Sequence, residues 1–274
     1  MTRPFLKMNG LGNDFVVIET RSGPFDPTAD EVRAIADRKT GVGCDQLIVI
    51  EKSEADADAR VRFWNADGEE VGACGNGTRC VGWLLMQSTG KDQAVIDTQA
   101  GRLVATRAGD RLVSVDMGPP RLDWQEIPLA SAQDTASLDV ALYHHADVMA
   151  PPGCVSMGNP HVVFFVPDVE ATPIAKIGPA VETHPLFPEH VNVGFAQILE
   201  RDRIRLRVWE RGAGLTKACG TGACAALVAA SRRDLVGRHA TMVLDGGELF
   251  IEWRGDGHVV MTGPAAVDFA GELP

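Results

Sequence analysis

Two short segments carry the residues best able to do chemistry in this chain: Ala73-Cys74-Gly75-Asn76-Gly77 and Ala218-Cys219-Gly220-Thr221-Gly222. Each runs into a helical stretch, predicted over 78–87 and 223–232, so each thiol stands just before a helix N-terminus. There the helix dipole and the first-turn N–H groups favour a thiolate and lower its pKa. The glycines let backbone approach a ligand closely, and the N–H groups can hold its carboxylate. One C-G-x-G is as readily a tight turn as a reactive site. Two of them suggest stereochemical inversion. If the segments face one cleft, one thiolate removes a proton from a carbon and the opposite thiol delivers a new one.

The elements that must position these thiols repeat along the chain. At an offset of 145, Arg62, Trp64, Ala73-Cys74-Gly75 and Gly77 match Arg207, Trp209, Ala218-Cys219-Gly220 and Gly222. At 146, Gly12-Asn13-x-x-Val16-Val17 matches Gly158-Asn159-x-x-Val162-Val163. A weaker echo sets Gly43-x-x-Gln46 against Gly194-x-x-Gln197. The chain therefore reads as two homologous halves joined near Gly118-Pro119-Pro120, whose Gly-Pro-Pro marks a linker. The expected domains are 1–118, with 263–274 returning to it, and 119–262.

Within each half, strands are predicted over 15–19, 46–51 and 60–64, then over 162–166, 191–199 and 203–209. In the last, Ile204, Leu206 and Val208 alternate with three arginines, as on a half-buried strand. The segment 223–230 is apolar all round, which requires a buried helix. A surface helix starts at Thr28, with Glu31 in the reciprocal capping position. The class is α+β: two strand-rich units, each wrapping a central helix.

Composition bounds the function. The 274 residues carry 26 basic and 37 acidic side chains, a formal net charge of -11. That balance argues against nucleic acid, which draws on clustered Lys and Arg. The longest apolar run, Ala223 to Ala230, is far short of a membrane span, and no secretory core follows Met1. Six cysteines without any C-x-x-C make neither a zinc knuckle nor a disulfide scaffold, so reduced thiols in a cytoplasm are expected, with no metal.

Asn13, Asn65, Asn76, Asn159 and Asn192 lie in or beside glycine-rich turns or strand ends. Singly each reads as a turn residue; together they can line a polar pocket. The halves differ where Asn65 is replaced by Glu210, beside Arg211, and a ligand with distinct ends would need that asymmetry. Arg211 suits a carboxylate and Glu210 an ammonium. His161 can tune a thiol or simply pack. His144, His145, His184, His190, His239 and His258 show no ligand spacing and read as solvated or structural.

At these residues the chain resembles diaminopimelate epimerase. The resemblance rests on M-N-G-L-G-N-D-F (8–15), G-C-D-Q (43–46), F-W-N-A-D-G (63–68) and A-C-G-N-G-T-R-C (73–80). In the second half it rests on G-N-P-H (158–161), V-N-V (191–193), W-E-R-G (209–212) and A-C-G-T-G-A-C-A (218–225). It implies two similar barrels, each around a central helix, in a homodimer. It implies cofactor-independent conversion of LL-2,6-diaminopimelate to the meso isomer, on the route to lysine and bacterial cell-wall peptide. Cys74 and Cys219 are then the acid/base thiols. Asn13, Gln46, Asn65, Asn159, Asn192 and Arg211 are implied substrate ligands, with backbone at Gly75-Asn76 and Gly220-Thr221 on the reacting carboxylate. His161 and Glu210 are implied to adjust the thiols. One departure follows Gly263-Pro264-Ala265, where the family often has a tyrosine supporting the dimer contact and this chain has Phe269, without the hydroxyl.

Two alternatives remain at this level. A proline or hydroxyproline racemase shares the two-thiol logic, although W-N-A-D-G, W-E-R-G and the asparagines favour a longer substrate with a distal amino-acid group. A redox or metal-binding module would instead use the six cysteines as such.

Overall fold

The computed structural model describes residues 2–138 and 150–273, so His144 and His145 lie outside the described residues. The chain divides into two units, Met1–Asp116 with Thr262–Pro274, and Met117–Met261.

Unit 1 opens with a hairpin of β1 (Arg3–Gly10) and β2 (Asn13–Glu19). Its two-residue turn puts Leu11 and Gly12 at φ 64° and 77°, the left-handed backbone that matches strand twist. β2 runs parallel to β3 (Gln46–Glu51), with Phe15 opposite Gln46. Parallel neighbours need a crossover, and this one carries α1 (Ala29–Ala36), closed by the Thr28–Glu31 capping box. β4 (Ala59–Asn65) pairs antiparallel with β3 and forms a short hairpin with β5 (Glu70–Val71). The next crossover is α2 (Gly75–Thr89), which returns the chain as β6 (Gln93–Thr98) parallel to β4. β7 (Gly101–Arg107) and β8 (Leu112–Asp116) continue antiparallel. α2 packs against β1, β2, β6, β7 and β8, so the strands wrap one helix.

Unit 2 repeats this path. After β9 (Ala150–Ser156), β10 (Pro160–Phe165) crosses through α3 (Ile174–Glu182) to a parallel β11 (Asn192–Glu200). β12 (Arg203–Glu210) is antiparallel to β11 and makes a hairpin with β13 (Gly214–Thr216). α4 (Gly220–Ser231) then crosses to β14 (His239–Leu244), parallel to β12, followed by β15 (Gly247–Trp253). β16 (Val259–Pro264) carries the chain back to unit 1, where β17 (Ala266–Leu273) pairs with β1. Ten of the twelve α4 residues are buried, as an all-apolar helix demands. Ile204, Leu206 and Val208 face inward on β12, and the arginines between them face outward.

Two expectations are corrected. Both central helices start three residues before the predicted bounds, at Gly75 and Gly220, and the cysteines themselves are the N-cap residues. The first-turn glycines are helical because they are packed: a Cβ on Gly77 would lie 2.8 Å from Ile48 Cδ1 and 2.9 Å from Phe63 Cε1. The Gly43/Gly194 echo is misaligned. Gln46 starts β3 opposite Phe15, and Asn192 starts β11 opposite His161, so the counterpart of Gln46 is Asn192, at the common offset of 146. Gln197 lies further along β11, where its Oε1 accepts the Val169 N–H.

Candidate active site

Each unit places one thiol at the junction where a β-hairpin ends and its central helix begins. Cys74 and Cys219 have extended N-cap backbones, with φ/ψ of −139°/114° and −117°/108°. By helix geometry the first-turn N–H groups, from Gly75-Asn76 and Gly220-Thr221, point out of the N-terminal end toward the thiol side.

In unit 1, Cys74 is half-buried and its sulfur accepts the Gly77 N–H at 3.4 Å, as a capping hydroxyl would. The Cys74 thiol also reaches Asn13 Oδ1 at 3.8 Å, and Asn76 Nδ2 donates to the same oxygen at 3.4 Å. The β-ladder brings Gln46 opposite Asn65, and Gln46 Nε2 donates to Asn65 Oδ1 at 2.8 Å. That leaves Gln46 Oε1 buried without a protein donor. An acceptor in that state suits an ammonium or amide from a ligand.

In unit 2, Cys219 is buried at 4% exposure and does not cap its helix through its sulfur. Burial pushes its thiol well above the ordinary value, and the negative charge of Glu210 adds to that rise. The Thr221 hydroxyl, 3.7 Å from the sulfur, opposes it. Glu210 is fixed from the other side by a hydrogen bond from the Thr216 hydroxyl. His161 is buried, with Nε2 3.0 Å from Asn159 Oδ1 and 3.1 Å from Thr221 Oγ1. Burial, and then the positive charge of Arg211, lowers its pKa to about 3, so the ring is neutral near pH 7.

Asn192 and Arg211 are tied to the backbone around them. Asn192 Nδ2 donates to the Pro160 carbonyl at 2.9 Å, and its Oδ1 accepts the Arg211 N–H at 3.0 Å. Its carboxamide braces two loops. Arg211 is exposed, with Nη1 donating to the Glu189 carbonyl at 2.8 Å.

Sequence reasoning missed the acids that hold these groups. Glu182, at the end of α3, accepts the Trp209 indole N–H at 2.7 Å and the Gly212 N–H at 2.9 Å, clamping the loop that carries Glu210 and Arg211. Asp45 accepts from Asn13 Nδ2 at 2.9 Å. The only signal for Asp45 is its place beside Gln46 in G-C-D-Q; nothing in the sequence marks Glu182.

Comparison with known proteins identifies the family of the chain. The family model for diaminopimelate epimerase matches residues 5–122 and 153–267. The diaminopimelate epimerase of Phenylobacterium zucineum is 82% identical, the alignment covering 100% of this chain and 99% of that one. Its counterpart in Caulobacter vibrioides is 60% identical, covering 100% of this chain and 98% of that one. Among solved structures, a PhzF-family phenazine biosynthesis protein from Bacillus anthracis superposes with a TM-score of 0.69 at 15% identity, covering 100% and 99% of the two chains. A hydroxyproline epimerase from Agrobacterium vitis gives 0.67 at 16%, covering 99% and 91%. At those identities the likeness is one of fold.

Proposed function

The chain belongs to the diaminopimelate epimerase family, and on that premise we propose that Cys74 and Cys219 exchange an α-proton of 2,6-diaminopimelate. The reaction interconverts the LL and meso isomers, a step in lysine biosynthesis. One thiolate takes the α-proton; the opposite thiol gives its own proton to the other face of the same carbon. Product leaves with the two protonation states exchanged, so the reverse reaction uses the same groups in swapped roles. Cys219 enters as the acid, because burial and Glu210 keep it protonated. Glu210, by raising the Cys219 pKa, holds that proton on the sulfur until the α-carbon takes it.

The observation that carries this reading is the pairing of two thiols at equivalent N-caps of two equivalent helices. The helix N–H groups at Gly75-Asn76 and Gly220-Thr221 hold the reacting carboxylate and absorb charge as the α-carbon loses its proton. Asn13, Gln46, Asn65, Asn76, Asn159, Asn192 and Arg211 hold the polar ends of the substrate, and the buried Oε1 of Gln46 favours an ammonium there. His161 acts on Cys219 through Thr221. The proposal needs no cofactor or metal, and the working form is a cytoplasmic homodimer. No helix among the described residues is long and apolar enough to cross a membrane.

The test is exchange. LL-diaminopimelate incubated with the protein in deuterated water gains deuterium at one α-carbon, and Cys74→Ala and Cys219→Ala each lose turnover. Exchange into proline but not into diaminopimelate would overturn the substrate assignment in favour of the racemase reading.

A further inference from the structure

Behind Asn13 lies a charged cluster that the reaction above does not use. Asp45 Oδ2 accepts from Asn13 Nδ2 at 2.9 Å and from the Asp14 N–H at 3.0 Å. Asp14 returns the bond, its Oδ1 accepting the Asp45 N–H at 3.0 Å. Arg38 spans both carboxylates, at 2.8 and 2.9 Å to Asp14 and 2.7 Å to Asp45 Oδ1. Lys7, buried on β1, donates to Asp14 Oδ2 at 2.6 Å and to the Gly43 carbonyl. Burial by itself would raise the Asp14 pKa, but Arg38 and Lys7 hold its carboxyl well below the usual carboxylate range. The Asp14 carboxylate therefore stays charged near pH 7.

A carboxylate only accepts hydrogen bonds, so Asp45 can hold only the NH2 end of the Asn13 carboxamide. The oxygen end is turned the other way, toward the Cys74 sulfur at 3.8 Å. Asn76 Nδ2 donates to that oxygen and enforces the same orientation from the far side.

Resting on the reading of Cys74 as a catalytic thiol, we propose that Asp45 is a positioning residue that locks the Asn13 carboxamide with its oxygen toward Cys74. Two of the sulfur's partners are then opposed. The Gly77 N–H favours the thiolate, and the Asn13 carbonyl favours the thiol, since it can only accept. Cys74 is thereby kept able both to give up and to receive a proton. If the amide turned over, two donors would face the sulfur and hold it as a thiolate, a poorer proton acceptor in turnover. Other charged or titratable groups around this pair, among the described residues, are Lys7, Asp14 and Arg38, with Arg79 and Cys80 further along α2 and Asp268 on β17.

The experiment follows alkylation of Cys74 by iodoacetamide against pH, peptide by peptide, with turnover measured alongside. Asp45→Asn and Asp45→Ala remove the same charge, but the asparagine keeps a carbonyl for Asn13 Nδ2 and the alanine keeps nothing. Alanine frees the carboxamide to turn, so the alkylation midpoint falls, and below the midpoint the rate rises about tenfold, the factor that one pH unit gives. Asparagine gives about threefold or less, and turnover falls further in Asp45→Ala than in Asp45→Asn. Equal shifts in the two variants mean that charge alone acts and overturn the proposal, as does no shift. If Asp45→Ala does not fold, Asp45→Ser takes its place with the same expected order, because the hydroxyl sits on Cβ and is drawn back from Asn13 Nδ2, which Asp45 Oδ2 reaches at 2.9 Å. Unshifted profiles with an inactive Cys74→Ala would sink this inference and leave the two-thiol reading standing. Full turnover in Cys74→Ala would sink that reading itself.

Discussion

Thr221 Oγ1 lies 3.1 Å from His161 Nε2, joining the first turn of α4 to the start of β10. The same oxygen is 3.7 Å from Cys219 Sγ. His161 is neutral, and its Nε2 also meets the acceptor Asn159 Oδ1, so this ring nitrogen carries the hydrogen. A protonated Nε2 cannot accept from Thr221, which leaves the Thr221 hydrogen free to point at the sulfur. On the proposed reading, a neutral imidazole acts on Cys219 by orienting a hydroxyl.

Thr221→Val keeps the side-chain shape and removes that hydroxyl; Thr221→Ser keeps it. A hydrogen bond to a charged group is worth about 1.5–3 kcal/mol, so valine should lower kcat about 10–100-fold. Serine should retain most of the activity. Steady-state kinetics decide it: equal losses in both variants would assign the effect to packing.

His161 also makes stability depend on pH. Its folded pKa of about 3 lies below the ordinary 6.5, so between these values the unfolded chain binds a proton that the folded chain does not. Stability therefore rises with pH across that window, is fully present above it, and is lost as pH falls toward 3. His161→Gln should flatten the curve by up to about 1.4 kcal/mol per pH unit. Urea midpoints between pH 4 and 7 measure this, and an unchanged slope would mean that His161 is not buried neutral.

The parts legible in the sequence are those where local chemistry repeats. Cys-Gly-x-Gly behind a Trp-bearing strand occurs twice, and the structure gives both copies the same hairpin, helix and parallel return. The Gly43/Gly194 echo failed because a match of two common residues carries less information than strand register, which pairs Gln46 with Phe15 and Asn192 with His161. Asp45 and Glu182 were illegible for another reason. An acid beside a turn or at a helix end reads as solvated, and its partners, Asn13 and Trp209, lie 32 and 27 residues away in the chain. At Asn192 the sequence shows a polar residue at a strand end but not that backbone on both sides uses its carboxamide.

The six cysteines should separate by reactivity. Cys74 is the one that is not buried. Burial raises Cys44 to about 11 and Cys80 to about 12, and lifts Cys154 and Cys219 as well. Native protein at pH 8 should therefore react with iodoacetamide at Cys74 at least about tenfold faster than elsewhere, and denaturant should level the rates. Peptide mapping reads the order; Cys219 or Cys44 labelled first would contradict it.

Gly77 and Gly222 hold equivalent positions in the two helices, yet alanine should harm them differently. At Gly77 the new Cβ would sit 2.8 and 2.9 Å from Ile48 and Phe63, both buried, so the core must shift. Overpacking of that kind costs about 1–3 kcal/mol, offset by up to about 1 kcal/mol of helix propensity. At Gly222 the nearest atoms are Cys219 Sγ and Val208 Cγ2, both at 3.1 Å, a contact relieved by displacing the thiol a few tenths of an ångström. Gly77→Ala should thus lose stability first, and Gly222→Ala should lose turnover with a near-normal melting temperature. Misplacing a reacting group by that much is enough to slow proton transfer, because the donor and acceptor must meet at hydrogen-bond distance. Melting curves and kcat on the two variants separate these outcomes, and a Gly222→Ala protein with full turnover would show that the Cys219 sulfur does not need its present position.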